Sequence, residues 1–223
     1  FKGNQNAIEY QYDASGQKIR KIQRGAENKT TNYIGSFVYE NNNLEYILTG
    51  DGRLVPNGNE YTYEYFIKDH LSNTRITLSD NNGSAEVMQE NHYYPFGLLL
   101  TGQNYNISPE NAVNKITFQG QEKQDEYDLG WYHFKWRMHN PEIGRFMTID
   151  PLAEKYNYYS TYAFSGNRVI DAFELEGAEP NRYLERATFL ARQVMLWYSR
   201  NQGAVNGFVW GMVDDTNYPG PAD

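Results

Sequence analysis

From Ile8 to Tyr12 the apolar residues Ile8, Tyr10 and Tyr12 alternate with Glu9 and Gln11, the period of two that marks a strand with one buried face. Asp13-Ala14-Ser15-Gly16 then supplies turn chemistry, and Ile19 opens a return segment that carries Lys18, Arg20 and Lys21. The unit therefore predicts a β-hairpin. Further strands are predicted at Tyr33 to Tyr39 and at Leu44 to Leu48. Tyr61, Tyr63 and Tyr65 repeat the alternating aromatic face, and their spacing predicts that all three lie on the packed side of a sheet. Asp51-Gly52, Asn57-Gly58 and Asn82-Gly83 punctuate these segments as turn signals. A lone hairpin is marginal in water, so degenerate hairpins at this spacing predict a sheet wound into a repetitive shell, each unit burying its face against the next.

Beyond about Tyr94 the regular period is lost, with Tyr94-Pro95-Phe96-Gly97 at the join. A period returns between Asn181 and Asn201, where Leu184, Ala187, Leu190, Ala191, Val194 and Tyr198 fall at intervals of three and four. That spacing predicts one amphipathic helix, with Pro180 and Asn181 at its start and Gly203 at its end. The chain thus divides into β-hairpins over 1–94, an irregular aromatic region over 95–180, and a helix with an irregular tail over 181–223. The expected fold class is mainly β.

Composition sharpens this picture. With 20 Tyr, 11 Phe and 4 Trp, aromatic rings supply much of the buried area, which suits thin β layers. The absence of Cys removes disulfide scaffolds, thiolate zinc sites and thiol catalysis. A net charge of −8 argues against a basic surface for nucleic acid. The longest aliphatic run, Leu98-Leu99-Leu100, is far short of the roughly 20 residues of a membrane helix. His70, His92, His133 and His139 form no His-Glu-x-x-His pair and no usual zinc spacing, so they read as surface or hydrogen-bonded side chains. No metal and no cofactor is expected. The chain opens on Phe1 without a charged segment leading into an apolar one, which reads as a piece of something longer.

The most informative stretch runs from 118 to 177. It contains Phe118-Gln119-Gly120-Gln121-Glu122, Trp136-Arg137-Met138-His139-Asn140-Pro141, Gly144-Arg145-Phe146 and Asp150-Pro151, followed by Tyr162-Ala163-Phe164-Ser165-Gly166-Asn167-Arg168 and Asp171. This ordered set resembles the Rhs repeat-associated core domain that ends the YD-repeat shell of bacterial Rhs and Tc-type toxins. Tyr10-Gln11-Tyr12-Asp13-Ala14-Ser15-Gly16 resembles the YD repeat itself, and Lys68-Asp69-His70-Leu71-Ser72-Asn73-Thr74-Arg75 the link that precedes the core.

The resemblance implies a hollow β cocoon around a toxic C-terminal polypeptide, with the core curling inward as a plug. It also implies partners: an N-terminal shell, C-terminal toxin cargo, an immunity protein and a delivery component, in a secreted or surface-exposed bacterial effector. In many members the core cuts the chain behind itself with two aspartic-type carboxylates and an arginine, which the motifs map to Asp150, Asp171 and Arg137. Two carboxylates held close share a proton, so one activates water while the other protonates the leaving group. The family motif reads Asp-Pro-x-Gly, whereas here the two sites read Asp150-Pro151-Leu152-Ala153 and Asp171-Ala172-Phe173-Glu174, with Gly177 further on. The provisional cut site is Ala178-Glu179. Without catalysis the same residues tie loops together, since Asp-Pro is a common turn pair and arginine readily bridges carboxylates. Two other readings are a cell-surface YD-repeat adhesion protein and a small truncated toxin whose activity lies in 181–223.

Overall fold

The computed structural model describes residues 6–25, 28–81, 83–102, 104–106 and 113–182. From residue 183 onward the expected helix lies outside the described residues. The first half is a ten-stranded antiparallel meander in which each strand bonds to the next in sequence: β1 (Ala7–Tyr12), β2 (Lys18–Arg24), β3 (Lys29–Ile34), β4 (Phe37–Glu40), β5 (Asn43–Leu48), β6 (Gly52–Asn57), β7 (Glu60–Lys68), β8 (Thr74–Asn81), β9 (Ser84–Glu90) and β10 (Tyr105–Asn106).

The first hairpin closes as its residues dictate. Asp13 Oδ1 accepts the N–H of Ser15 at 2.8 Å and of Gln17 at 2.9 Å, while Gly16 takes the left-handed backbone (φ 77°) that completes the turn. The segment predicted as one strand from Tyr33 to Tyr39 is instead two. Gly35 (φ 59°) turns the chain, and β3 and β4 pair as Tyr33 with Val38 and Ile34 with Phe37.

The face of β7 also differs from expectation. Tyr61 and Tyr65 are 55% and 48% exposed, whereas Glu64 and Phe66 are buried. Alternation fixes which residues share a face but not which face is covered when both carry large side chains. Here register decides it. Arg53 stands opposite Glu64, and their Nε–Oε2 contact of 2.6 Å is buried, with the guanidinium over the Tyr46 ring.

The second half is a small sheet of β11 (Glu122–Gln124), β12 (Trp131–His133), β13 (Met138–Asn140) and β14 (Arg145–Phe146), followed by a ribbon of β15 (Ala172–Leu175) and β16 (Glu179–Arg182). Its strands are too short to bury much alone. Rings supply the core instead: Phe118, Tyr132, Phe134, Phe146 and Phe164 form one buried cluster, with His139 stacked on Phe164 at 4.0 Å between centroids.

The core is fastened to the meander by a buried ionic cluster. Glu122 of β11 receives Lys18 Nζ at 2.5 Å, Lys21 Nζ at 3.0 Å and the Tyr33 hydroxyl at 2.9 Å, and Lys21 also reaches Glu126 at 2.7 Å. Tyr10 donates to Gln124 Oε1 at 3.3 Å, and the Tyr12 hydroxyl meets His133 Nε2 at 3.0 Å. Both tyrosines of the first hairpin thus bond to the core, Tyr10 half-buried as its period predicts and Tyr12 still 46% exposed. Among the described residues no helix is long and apolar enough to cross a membrane.

Candidate carboxylate site

Arg137 closes the tight connection between β12 and β13, where the Phe134 N–H donates to the Arg137 carbonyl at 3.1 Å. That turn drives its side chain into the core, where the guanidinium carbon lies 3.7 Å from the centroid of the Phe146 ring. Nη2 lies 2.8 Å from Asp150 Oδ2 and 3.5 Å from Glu174 Oε1, Nη1 donates to the Thr161 carbonyl at 3.3 Å, and Nε donates to the carbonyl of Gly177. Burial pulls the Arg137 guanidinium below its usual range, while Glu174 and Asp150 act to hold it charged.

Each carboxylate is set by its own local structure. Asp150 begins the Asp-Pro turn: its Oδ1 accepts the Leu152 N–H at 2.7 Å, and its own N–H donates to the Thr161 carbonyl at 2.9 Å. Glu174 projects from β15. Its Oε2 accepts the Ser165 N–H at 2.7 Å, and its backbone N–H donates to Gln119 Oε1 at 2.8 Å. The side chains of Arg137 and Glu174 are each 1% exposed. Because Asp150 and Glu174 touch the same Nη2, their oxygens can be no further apart than those two contacts laid end to end.

Of the three residues that the motifs single out, the structure joins Arg137 to Asp150. Asp171 lies elsewhere. Its side chain is 55% exposed and takes Arg168 as an ion-pair partner three residues away. Glu174 occupies the second place on the Arg137 guanidinium. The signal for Glu174 was present in the sequence: counting back from Gly177 by the Asp-Pro-x-Gly spacing lands on Glu174, with Leu175 in place of proline. Gly177 itself is required here. It has φ 81°, and a Cβ would stand 2.7 Å from Phe134 Cβ.

Beside the carboxylates is a cavity of ≈ 10 Å³, about the size of one water, lined among others by Tyr156, Tyr159, Thr161 and Pro180. Pro180 brings the chain that follows Gly177 to the same cleft. The histidines take no part. His139 is buried, with Nε2 on the Phe96 carbonyl at 2.8 Å, and burial draws both His139 and His133 down to about 4. Among the described residues no three His, Asp or Glu side chains gather as a metal site.

No protein-family model matches the chain. Solved structures do match it in fold. A Photorhabdus luminescens Tc holotoxin pore carrying a TccC3 variant superposes with a TM-score of 0.67 at 18% identity, over 81% of this chain and 9% of that one. The TcdB2-TccC3 crystal structure without its hypervariable C-terminal region gives 0.63 at 17% identity, over 79% of this chain and 9% of that one. The fold is like that of a segment of the Tc toxin assemblies. In sequence, salivary gland surface protein 1 of Aedes aegypti is 28% identical over 115 residues, which is 52% of this chain and 3% of that protein. The chain therefore spans a small fraction of the proteins that it matches.

Proposed function

We propose that this chain is the closing part of a Rhs/YD-repeat β shell of the toxin type, and that its core cuts the polypeptide just beyond Gly177. The observation that carries the second half is the buried meeting of Asp150 and Glu174 on one guanidinium, with the chain held by Arg137 at the Gly177 carbonyl. Among the ion pairs of the described residues one cation stands against two carboxylates, an excess of negative charge that a single shared proton relieves. Asp150, with the shorter contact to Arg137, is the base in this reading. Glu174 carries the proton.

The chemistry balances on those two groups. Asp150 takes a proton from water as the water oxygen bonds to the scissile carbonyl carbon, and Glu174 gives its proton to the amide nitrogen as the C–N bond breaks. The products are a new carboxyl terminus and a new amine. Because the peptide is tethered beside the pair, no encounter step is needed and one turnover per chain suffices. The shell reading rests on the fold: a sequential meander whose first strand, β1, pairs only with β2 among the described residues, so earlier strands of a longer shell have an edge on which to add. In this reading the residues after the core lead into cargo. The TcdB2-TccC3 neighbour, with its hypervariable C-terminal region, is the parallel. Delivery out of a bacterial cell and an immunity partner belong to the same reading.

The test is the intact mass of the complete natural protein, folded, in wild-type form and as Asp150→Asn and Glu174→Gln. Two fragments are expected for wild type and one full-length mass for each variant. A single full-length mass for folded wild type would overturn the protease and leave a passive plug. The Aedes match favours a second reading, a surface protein built on the same shell. The full reading frame separates them: a membrane anchor and no small immunity gene downstream point to surface adhesion.

A further inference from the structure

Glu174 is reached from the meander by an unbroken line of hydrogen bonds. The connection between β7 and β8 folds on Asp69, whose Oδ1 accepts the N–H groups of Leu71 and Asn73, each at 3.0 Å, and whose Oδ2 accepts Asn73 Nδ2 at 2.9 Å. Asn73 is thereby fixed with its Oδ1 toward the core, where it accepts the Gln119 N–H at 2.9 Å. Gln119 Oε1 in turn accepts the Glu174 N–H at 2.8 Å, and Glu174 meets Arg137. Asn73, Gln119 and Glu174 are all buried. Gln119 also holds a left-handed backbone (φ 51°), which a non-glycine residue keeps only where its surroundings fix it.

We propose that Asn73 and Gln119 are positioning residues that make cleavage conditional on docking of the β7–β8 connection against the core. The inference rests on the reading of Asp150 and Glu174 as the cleaving pair. Asn73 sets the backbone of Gln119, Gln119 sets the backbone of β15, and β15 sets the Glu174 carboxylate against Arg137. A chain whose shell has not closed at this turn lacks the first link, so its cutting pair is misaligned. The shell would then be sealed before its contents are released from the core.

Among the described residues Gln119 Nε2 has no hydrogen-bond partner, so replacing that nitrogen by oxygen removes no bond there. This allows a test in which shape is kept and only the acceptor's charge changes. The complete protein, obtained unfolded in denaturant, is diluted into buffers from about pH 5 to pH 8, and intact mass is followed with time. Gln119→Met, which has no acceptor, is expected to slow cleavage by about tenfold or more at every pH, because small misplacements of a reacting group are costly. Gln119→Glu is expected to approach the wild-type rate at the acid end, where burial beside Glu174 raises its carboxyl and keeps it neutral so that it accepts as the amide does, and to fall away toward neutral pH as a second negative charge forms there.

A residue that serves only folding changes the folded yield and leaves the pH profile of the folded fraction unmoved. That outcome overturns the inference, as does wild-type cleavage by folded Gln119→Met. Should Gln119→Met fail to fold, Asn73→Ala breaks the line one link further from the carboxylates, and an unaltered rate in that folded variant overturns it equally. If wild type itself does not cleave, the protease reading fails rather than the relay.

Discussion

Two buried ionic clusters hold the second half of this chain, and they differ in charge balance. Around Glu122 and Glu126 stand the buried Lys18 and Lys21 and the less buried Lys115, whose Nζ lies 3.5 Å from Glu126 Oε1, so that each carboxylate has its cation, with Tyr33 adding a hydroxyl. Around Arg137 stand Asp150 and Glu174, two carboxylates on one guanidinium among the described residues. Burial alone would raise the Glu122 carboxyl, but Lys18 and Lys21 outweigh it and hold the group well below the usual carboxylate range. That cluster has its charge satisfied. It fastens β11 to the meander and offers no proton at ordinary pH. In the proposed reading the Arg137 cluster shares one more proton and has the chain's own backbone within reach, so a second buried ionic set serves chemistry where the first serves fastening.

The largest expected effect comes from breaking the balanced cluster. Glu122→Ala leaves Lys18 and Lys21 buried with Glu126 to share, and removing one partner of a buried ion pair costs about 3 to 5 kcal/mol. Denaturant unfolding should show that loss. If stability falls by under about 1 kcal/mol, the cluster is not the fastening that its geometry indicates.

Acid should act on the same seam. His133 and His139 are drawn down to about 4, chiefly by burial, whereas an unfolded chain protonates histidine near about 6.5. Between those values the unfolded state binds more protons. Stability is therefore full above about 6.5 and falls toward 4, by up to about 1.4 kcal/mol per pH unit for each histidine. Glu122 acts in the same sense, although its deprotonated form is the charged one: its contribution is full above the ordinary carboxylate range and is lost as pH falls through its depressed value. Melting temperature measured against pH should decline from about 6.5 downward, and Glu122→Ala should flatten the lowest part of that decline. A melting temperature that is level between those values speaks against the burial of both histidines.

Glu174→Gln probes the unbalanced cluster and should separate stability from chemistry. Arg137 keeps Asp150, and an amide oxygen still accepts the Ser165 N–H, so the stability change should stay within about 1 kcal/mol. Cleavage should stop. A large loss of stability would show that Glu174 serves as a fastening, as Glu122 does.

How much of this was legible beforehand follows from what local pattern encodes. The period of Tyr10 and Tyr12 and the Asp13 turn predicts the first hairpin, a property of a few adjacent residues, although Tyr12 at its end stays 46% exposed. The break at Gly35 and the outward turn of Tyr61 and Tyr65 were missed. Pairing across strands decides them, Tyr33 with Val38 in one case and Arg53 with Glu64 in the other. At the site, Arg137 and Asp150 follow from motif positions, whereas Glu174 was hidden by residue type. A rule phrased for aspartate points to Asp171, but the chain places its second carboxylate by distance from Gly177.

Asp171→Asn should have the smallest effect of all, and it decides between the two carboxylates. Asp171 is largely in water, where its pair with Arg168 is screened and worth about 0 to 1 kcal/mol. Asparagine keeps the size and an oxygen for Arg168, so melting should barely move. If Glu174 is the partner of Asp150, Asp171→Asn should also cleave at the wild-type rate, since no reacting proton passes through it. Equal loss of cleavage in folded Asp171→Asn and Asp150→Asn would restore Asp171 to the pair. It would also require the 168–171 turn to swing from the surface onto Arg137, a movement that breaks the Arg168 contact and the Ala172 N–H bond to the Arg168 carbonyl at 2.9 Å. Retained cleavage in Asp171→Asn together with loss in Glu174→Gln instead ties the chemistry to the two carboxylates on Arg137.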